Sequence, residues 1–389
     1  MEQSSAAQRA PLPPRNRLGY RPALDGVRGV AILLVIAWHA YDKPSGGFLG
    51  VDLFFVLSGF LITTLLIQEW QLRGSISLPH FYFRRALRLL PALVVVVACY
   101  VLLNLVQYIG GNVHDASSLR EALEGALFGL LYVSNIVQAS GHLLPGGIGH
   151  LWSLATEEQF YLLWPLALYG ALRFGARSRG LALGLGGVIA LLFVHRLELV
   201  LRGVPQQRLY FGPDNTFDVI LIGSLAGIWF SFGLPRPLTQ RSVRRVGGWL
   251  GLLVVSTMVA FSTLWQRPLY GGLLSLFAVA TALVLLSIVL ESDSWIARML
   301  SYRPLVFVGR ISYGLYLWHA VMLFGFGHLP HAAKLALAFL LATGSYYGIE
   351  RFFLRRKRRD RAEIERSPEG LGAPRVADAI GDSSTTARA

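Results

Sequence analysis

The chain has 389 residues, of which 54% are hydrophobic and 15% are charged. Soluble globular domains carry about 25% charged residues, so this composition argues against a soluble protein. The formal net charge is +14, but the basic residues lie at the ends of apolar runs. That distribution is typical of membrane topology under the positive-inside rule and not of nucleic-acid binding. Cys99 is the single cysteine, which excludes an intramolecular disulfide and a Cys-rich metal site.

Apolar stretches recur along the chain, and most approach the length of about twenty residues that crosses a hydrocarbon core of roughly 30 Å. No repeat with a period of 20–50 residues accompanies them. The eleven stretches are 24–41, 47–68, 91–109, 120–138, 150–172, 181–201, 214–232, 246–264, 271–290, 304–326 and 331–353.

The charges between these stretches indicate which ones cross the membrane. The basic residues near both ends of the chain belong in the cytoplasm, so the number of crossings must be even. If 120–138 crossed, the arginine-rich segment 173–179 would lie outside. The stretch 120–138 also contains two glutamates and Asn135, which are costly beside lipid. We therefore predict that it does not span.

The predicted fold is an all-α, polytopic transmembrane helical bundle of about ten spans, with an outer-side re-entrant or interfacial helix. Residues 1–22 are expected to form a cytoplasmic arm, 23–355 the transmembrane domain, and 356–389 a basic and then disordered cytoplasmic tail. Residues 81–91 (FYFRRALRLLP) alternate arginine and apolar positions at helical spacing. This pattern predicts an amphipathic helix in the inner interface, with Pro91 opening the next span.

Three ionisable residues in the first two spans are candidates for function, because charged groups within a membrane are rare and usually functional. Arg28 and His39 are eleven positions apart, which displaces them by roughly 20° around a helix and about 16 Å along it. One helix face would then carry a cation near the inner end and a base further out. Asp52, near the outer end of the second span, is expected to pack beside His39. The alternatives are interfacial side chains and a carboxylate favoured by the helix dipole.

The segment LWSLATEEQFYLLWP places two adjacent carboxylates inside an apolar run. Ser153 with Glu157 is compatible with a simple helix-start arrangement. However, Glu157 and Tyr161 share one helix face at a spacing of four residues. A carboxylate there would assist a catalytic imidazole or orient the acceptor.

Arginines also cluster after the second span, at Arg84, Arg85 and Arg88. Because guanidinium groups bind phosphate bidentately, this cluster suits a phosphorylated cytosolic donor such as acyl-CoA. Anionic lipid headgroups are the alternative ligand.

Further polar residues lie in the last two stretches. The segment FVGRISYGLYLWHA (307–320) contributes Ser312, Tyr313 and His319, and Glu350 closes the final stretch.

Taken together, the motifs resemble the acyltransferase-3 family of integral-membrane O-acyltransferases, which modify bacterial surface polysaccharides and natural products. The resemblance rests, in chain order, on RPALDGVRGVAILLVIAWHA, GVDLFFVLSGFLI, FYFRRALRLLP, LWSLATEEQFYLLWP and ISYGLYLWH. It covers about residues 20–355. Families of this type often end the last span in a Glu–Lys–Pro–Phe-like motif, whereas here Glu350 is followed by Arg351, Phe352 and Phe353.

The resemblance implies a cytosolic acyl-CoA donor and a hydroxyl acceptor, often a sugar. It implies that Arg28 and His39 are essential, that Arg84 and Arg85 handle the donor, and that Glu157 is the glutamate of the SLxxE pattern. It also implies a multi-pass protein of the bacterial cytoplasmic (inner) membrane, and the charges predict that both termini are cytoplasmic.

The leading hypothesis is an enzyme that transfers an acyl group, by default acetyl from acetyl-CoA, to a hydroxyl of a glycan or small molecule. No permanently bound cofactor, metal or nucleic acid is expected, and membrane lipids are the surroundings. A transporter or flippase using the same charges is the alternative. The candidate residues are His39, Asp52 and Glu157 for catalysis, Arg28, Arg84, Arg85 and Arg88 for the donor, and Tyr161, Ser312, Tyr313, His319 and Glu350 for the acceptor or support.

Overall fold

A computed structural model describes residues 17–110, 116–327 and 329–351. Every regular element within these ranges is helical, as expected. The predicted tail 356–389 and most of the arm 1–22 lie outside the described residues. The helices are α1 (Pro22–Tyr41), α2 (Gly50–Arg73), α3 (Leu78–Ile109), α4 (Ala116–Leu130), α5 (Ser134–Ala139), α6 (Gly146–Gly149), α7 (Trp152–Arg173), α8 (Ser178–Leu201), α9 (Gln206–Phe211), α10 (Pro213–Phe232), α11 (Arg236–Thr239), α12 (Arg241–Phe261), α13 (Leu274–Leu290), α14 (Trp295–Leu300), α15 (Arg303–Arg310), α16 (Ser312–Gly325) and α17 (His331–Ser345).

The described helices identify a multi-pass membrane protein, but they do not confirm a count of ten spans. Seven helices are long and apolar enough to cross a bilayer, or eight if α15 and α16, which are bent by 71°, form one broken span. Of the remaining long stretches, α7 has 22 residues but contains Glu157 and Glu158. Helix α17 has only 15 residues before it continues into a π-helical turn at Tyr346–Glu350.

The stretch 120–138 is broken in the structure. Helix α4 has 15 residues and α5 has 6, and neither is long enough to cross a bilayer alone. Buried Asn135 bonds its amide nitrogen to Gln159 Oε1 at 2.9 Å and to Thr156 Oγ1 at 3.1 Å, and Gln159 Nε2 returns a bond to Asn135 Oδ1 at 2.9 Å. Asn135, whose polarity predicted that this stretch avoids lipid, therefore holds α5 against α7 by hydrogen bonds.

Helix α3 differs from the prediction for residues 81–91. The predicted interfacial helix and the following span are one helix of 32 residues, and Pro91 lies inside it. Separating the two segments at Pro91 was therefore wrong. A proline removes one intrahelical hydrogen bond, but surrounding helices commonly satisfy the freed groups in membrane proteins. Two residues before Pro91, the Tyr313 hydroxyl of α16 donates to the carbonyl of Leu89 at 2.7 Å.

Helices α2 and α10 cross with their backbones in close approach. A Cβ added at Gly59 would lie 1.9 Å from the carbonyl oxygen of Ile220, and one added at Gly223 would lie 2.0 Å from that of Val56. Small residues allow such contacts, which replace hydrophobic driving force in lipid. This crossing fixes α2, which forms one wall of the candidate site.

A fully buried ion pair joins α8, α10 and the start of α13. The Arg196 guanidinium donates to Asp218 Oδ1 at 2.6 Å, to Ser275 Oγ at 2.5 Å and to the carbonyl of Tyr270 at 2.9 Å. Ser275 Oγ in turn donates to Asp218 Oδ2 at 2.8 Å. Arg196 is 0% exposed, and its charge is compensated locally by the Asp218 carboxylate.

We expect Gly59→Ala to destabilise the protein by roughly 1–3 kcal/mol, the usual consequence of overpacking a close contact. The added methyl group would overlap the backbone of α10, so one helix would have to shift. Thermal unfolding in detergent measures the effect. Gly184→Ala on α8 is the control, since nothing lies within 4 Å of its added Cβ. Equal melting temperatures for the two variants would contradict the packing argument.

Candidate active site

An elongated cavity of about 210 Å³ lies among α1, α2, α3, α7 and α16. Its α2 wall runs from Val51 to Glu69, a distance of about 27 Å at 1.5 Å per residue. It therefore follows most of the length of a transmembrane helix.

One end of the cavity, the arginine end, is lined by Arg28, Arg84, Arg85 and Arg88. Arg84 lies 3.6 Å from Glu69, which also lines the cavity. Arg88 interacts electrostatically with three charged neighbours, Arg28, Arg85 and Glu350. Arg84, Arg85 and Arg88 belong to one segment of the sequence, and in the folded protein Arg28 of α1 lies with them at this end of the cavity.

Glu350 lies beside the arginine end without lining the cavity. Arg88 and Arg28 are the charges that act on it. Its Oε1 atom is buried and has no hydrogen-bond partner within the described residues. The final carboxylate of the described chain thus offsets part of the positive charge of this cluster.

Midway along the cavity, Glu157 is held in a compact polar group. Ser58 Oγ donates to Glu157 Oε1 at 2.8 Å, and the Tyr161 hydroxyl lies 3.0 Å from Glu157 Oε2 and 2.8 Å from Ser58 Oγ. The Arg85 guanidinium lies 3.4 Å above the Tyr161 ring, a favourable cation–π contact. Glu157 therefore connects through Tyr161 to the arginine end.

The opposite end, the closed end, is formed by Ser153 and Tyr316, which both line the cavity. The Tyr316 hydroxyl donates its proton to the carbonyl of His150. Ser153 Oγ, 2.5 Å away, is therefore the donor to Tyr316, since each hydroxyl has only one proton.

His39 lies beyond this closed end. Its Nδ1 is 2.9 Å from the carbonyl oxygen of Val35, so Nδ1 carries the proton and Nε2 presents a lone pair in the neutral ring. Arg28 lines the cavity and His39 does not. Within the described residues, the cavity lining therefore includes the cation of the predicted α1 face but not its base.

Two further histidines adjoin His39, and we refer to His39, His150 and His319 as the histidine cluster. The His39 and His319 ring centroids are 5.1 Å apart, and those of His319 and His150 are 5.2 Å apart. Within the described residues, no group of three or more His, Cys, Asp or Glu side chains has the arrangement of a metal site.

The sequence did not single out His150. The sequence feature that could have indicated a role for His150 is its position directly before the motif LWSLATEEQFY. However, His150 lies in a short non-periodic segment between α6 and α7. No helical phase could therefore predict where its ring points.

Asp52 is not adjacent to His39. Asp52 interacts electrostatically with Asp218 and Arg196. His39 instead interacts electrostatically with Asp42. The expected pairing of Asp52 with His39 does not form, because Asp52 lies on the face of α2 that packs toward α10.

The structure thus divides the predicted site residues into two groups. Those that line the cavity are Arg28, Arg84, Arg85, Arg88, Glu157, Tyr161, Ser312 and Tyr313. Those that lie outside its lining are His39, Asp52, His319 and Glu350.

Comparisons with known proteins bear on this arrangement. The sequence model of a family described as "Acyltransferase domain" matches residues 21–348. The peptidoglycan O-acetyltransferase OatA of Listeria monocytogenes is 33% identical over 313 residues, covering 77% of this chain and 49% of the relative. The O-acetyltransferase OatA of Staphylococcus aureus is 33% identical over 353 residues, covering 85% of this chain and 57% of the relative.

No solved structure matches the chain. The chain spans about half the length of the curated relatives it matches. The family match includes the arginine end, Glu157, the closed end and the histidine cluster. The chain therefore belongs to the acyltransferase-3 family.

Proposed function

We propose that the protein is a membrane O-acyltransferase that transfers an acyl group, most simply acetyl, from cytosolic acyl-CoA to a hydroxyl of a glycan acceptor. The observation that carries the proposal is the cavity, which has four arginines at one end and paired hydroxyls beside a histidine cluster at the other. The family match favours acyl transfer over transport or lipid flipping.

The arginine end suits the donor. Acyl-CoA carries its phosphates at one end of a long flexible arm and its thioester at the other. Guanidinium groups bind phosphates with charge-assisted, often bidentate hydrogen bonds. A cavity of about 27 Å along α2, with its cations grouped at one end, matches this separation of charge and thioester. The positive-inside rule assigns the arginine end to the cytoplasm.

Glu157 is proposed to organise the donor path. Its carboxylate is hydrogen-bonded to Ser58 and lies 3.0 Å from the Tyr161 hydroxyl. The Tyr161 ring in turn supports Arg85. This arrangement holds the guanidinium in place before the donor binds, which lowers the entropy lost on binding.

His39 is proposed as the general base. With Nδ1 held by a backbone carbonyl, Nε2 accepts the proton of the acceptor hydroxyl, and the hydroxyl oxygen attacks the thioester carbonyl. The C–S bond then breaks, an ester forms, and the thiolate leaves. Because one curated relative is named a peptidoglycan O-acetyltransferase, a cell-wall glycan hydroxyl is the proposed acceptor.

We expect Arg85→Gln to raise the KM for acetyl-CoA about tenfold to a hundredfold. Losing a hydrogen bond to a charged group costs about 1.5–3 kcal/mol, and each 1.4 kcal/mol is tenfold in affinity. The assay follows transfer from labelled acetyl-CoA to soluble peptidoglycan fragments in membrane vesicles. Arg73→Gln is the control, because Arg73 is half-exposed at the end of α2 and does not line the cavity. Equal KM values for both variants would remove Arg85 from donor binding.

We expect His39→Ala to lower kcat by about 10²–10⁴-fold, the usual contribution of a general base. The KM for acetyl-CoA should not change, because His39 does not line the cavity. The control is His331→Ala, since His331 is exposed and its ring faces Tyr41 at 5.6 Å. Retained transfer by the His39 variant would eliminate it as the base. Solute accumulation in vesicles without acyl-CoA would instead support a transporter.

A further inference from the structure

Helix α16 begins abruptly at the wall of the cavity. Helix α15 ends at Arg310, the chain then bends by 71°, and the first backbone bond of α16 runs from the Leu315 amide to the Ile311 carbonyl at 3.0 Å. The amides of residues 312–314 therefore have no helical carbonyl as partner in the described chain, which is the usual state of the first turn of a helix. Such amides give the helix end a partial positive charge.

No side chain caps this helix end among the described residues. The N-cap residue is Ile311, which has no polar side-chain atom, and the first turn contains no acidic residue. Ser, Thr, Asp and Asn are the residues that usually satisfy these amides. The first turn instead faces the cavity, since Ser312 and Tyr313 both line it. The uncapped turn thus borders a volume that is open to a ligand.

The side chain of Ser312 is also without a partner. The residue is 1% exposed, and its Oγ atom is buried with no hydrogen-bond partner within the described residues. Buried hydroxyls in native proteins are normally paired, so an unpaired one calls for an explanation. Serine χ1 has three staggered positions, among which the hydroxyl can turn toward a ligand in the cavity. Together with the adjacent amides it offers a compact set of donors for one anionic group.

The start of α16 is held in place by the packing of α15 on α1. A Cβ added at Gly309 would lie 1.7 Å from the carbonyl oxygen of Asp25, and one added at Gly29 would lie 2.3 Å from that of Leu305. Backbones in such contact leave little room for the two helices to shift against each other. Because Arg28 belongs to the same contact region of α1, the first turn of α16 and this arginine are positioned before a ligand binds. Such preorganisation lowers the entropy lost on binding.

The first turn of α16 lies further along the cavity than Arg28. Helices α1 and α16 both run from the arginine end toward the histidine cluster, where the ring centroids of His39 and His319 are 5.1 Å apart. Measured back along α1 at 1.5 Å per residue, Arg28 lies about 16 Å from His39. By the same measure, Ser312 lies about 10 Å from His319 along α16. Ser312 is therefore about 6 Å closer to the histidine cluster than Arg28 is.

The electrostatics of this arrangement favour an anion between the two sets of donors. Four arginines line the cavity near a helix end that is itself partly positive. Placing like charges together in a bundle is unfavourable, and a bound phosphate would relieve the repulsion. Helix N-termini bind phosphate groups for this reason.

We infer that the first turn of α16, with the Ser312 hydroxyl, is a phosphate subsite separate from the arginine end. The inference rests on the proposed function. Acyl-CoA carries one phosphate on its ribose and two in the diphosphate that joins the nucleotide to the pantetheine arm. The phosphate attached to the arm is nearest the thioester, so it lies deepest when the donor enters from the arginine end. Ser312 and the adjacent amides bind this phosphate, the arginines bind the other two, and the subsite sets how far the arm reaches.

The test compares three acetyl thioesters, acetyl-CoA, acetyl-4′-phosphopantetheine and acetylpantetheine, as donors to soluble peptidoglycan fragments with the detergent-solubilised full chain. The second donor keeps the phosphate of the arm without the nucleotide, and the third has no phosphate. We expect Ser312→Ala to lower kcat/KM about tenfold for the first two donors, because a hydrogen bond to a charged group is lost. The value for acetylpantetheine should not change. Ser242→Ala is the control, since Ser242 is exposed on α12 and does not line the cavity.

Each other pattern would overturn the subsite. Unchanged kcat/KM values in Ser312→Ala would leave the proposed function intact without it. A fall with acetyl-CoA alone would assign Ser312 to a phosphate of the nucleotide, and an equal fall with all three donors would assign it a structural role. No transfer from acetyl-CoA by the unaltered chain would remove the proposed function as well.

A second variant keeps the test decisive if Ser312→Ala lowers the melting temperature. Ser312→Asp places a carboxylate at the helix end, where the dipole favours it, but this carboxylate repels a phosphate. We expect kcat/KM to fall at least tenfold more for the two phosphate-bearing donors than for acetylpantetheine. An equal fall for all three donors would contradict the subsite.

Discussion

The cost of holding positive charge within an apolar bundle governs the arrangement of this protein. An arginine at the centre of a bilayer costs roughly 2.5–3.5 kcal/mol on insertion scales, and here Arg28, Arg84, Arg85 and Arg88 share one cavity. Among the described residues, two carboxylates, Glu69 and Glu157, line the cavity with them. The cluster thus keeps excess positive charge facing an open volume, which is the electrostatic condition for binding an anionic group and not for sealing a core.

Arg196, which is fully buried away from the cavity, shows the opposite solution. Arg196 has its donors taken up by Asp218, Ser275 and backbone carbonyls. The charge of Arg196 is thus compensated by Asp218, and the pair joins three helices. The contrast between the two sites separates an arginine that stabilises the bundle from arginines that are available to a substrate.

Much of the site was predictable because helical phase and local spacing suffice within one element. The arginine segment of α3, the Glu157–Tyr161 face of α7 and the position of Arg28 on α1 follow from such patterns. Which helix packs beside which does not follow. Asp52 was expected beside His39, but the glycines of α2 and α10 draw these helices together and place Asp52 near Arg196.

The count of ten spans is not confirmed, and the predicted break at Pro91 was wrong. Helix α7 was counted as a span, but its glutamates keep it outside the set of helices that are apolar enough to be identified as spans by composition. The break was predicted because Pro91 was given the weight that a proline has in a soluble helix. His150 was not predicted because it lies in a short connection between helices, where no helical periodicity indicates which way a side chain points.

The glycine contacts between α2 and α10 also limit how the protein can move. With its backbone seated against that of α10, α2 has no room to slide or rotate without collision, so this wall of the cavity is a fixed reference. Any widening that admits a bulky donor, or any opening toward the histidines, must come from the other walls, α1, α3, α7 and α16. Conformational change would then be confined to the helices that face α2. Entry of the acyl donor and approach of the acceptor would both depend on the motion of these same helices.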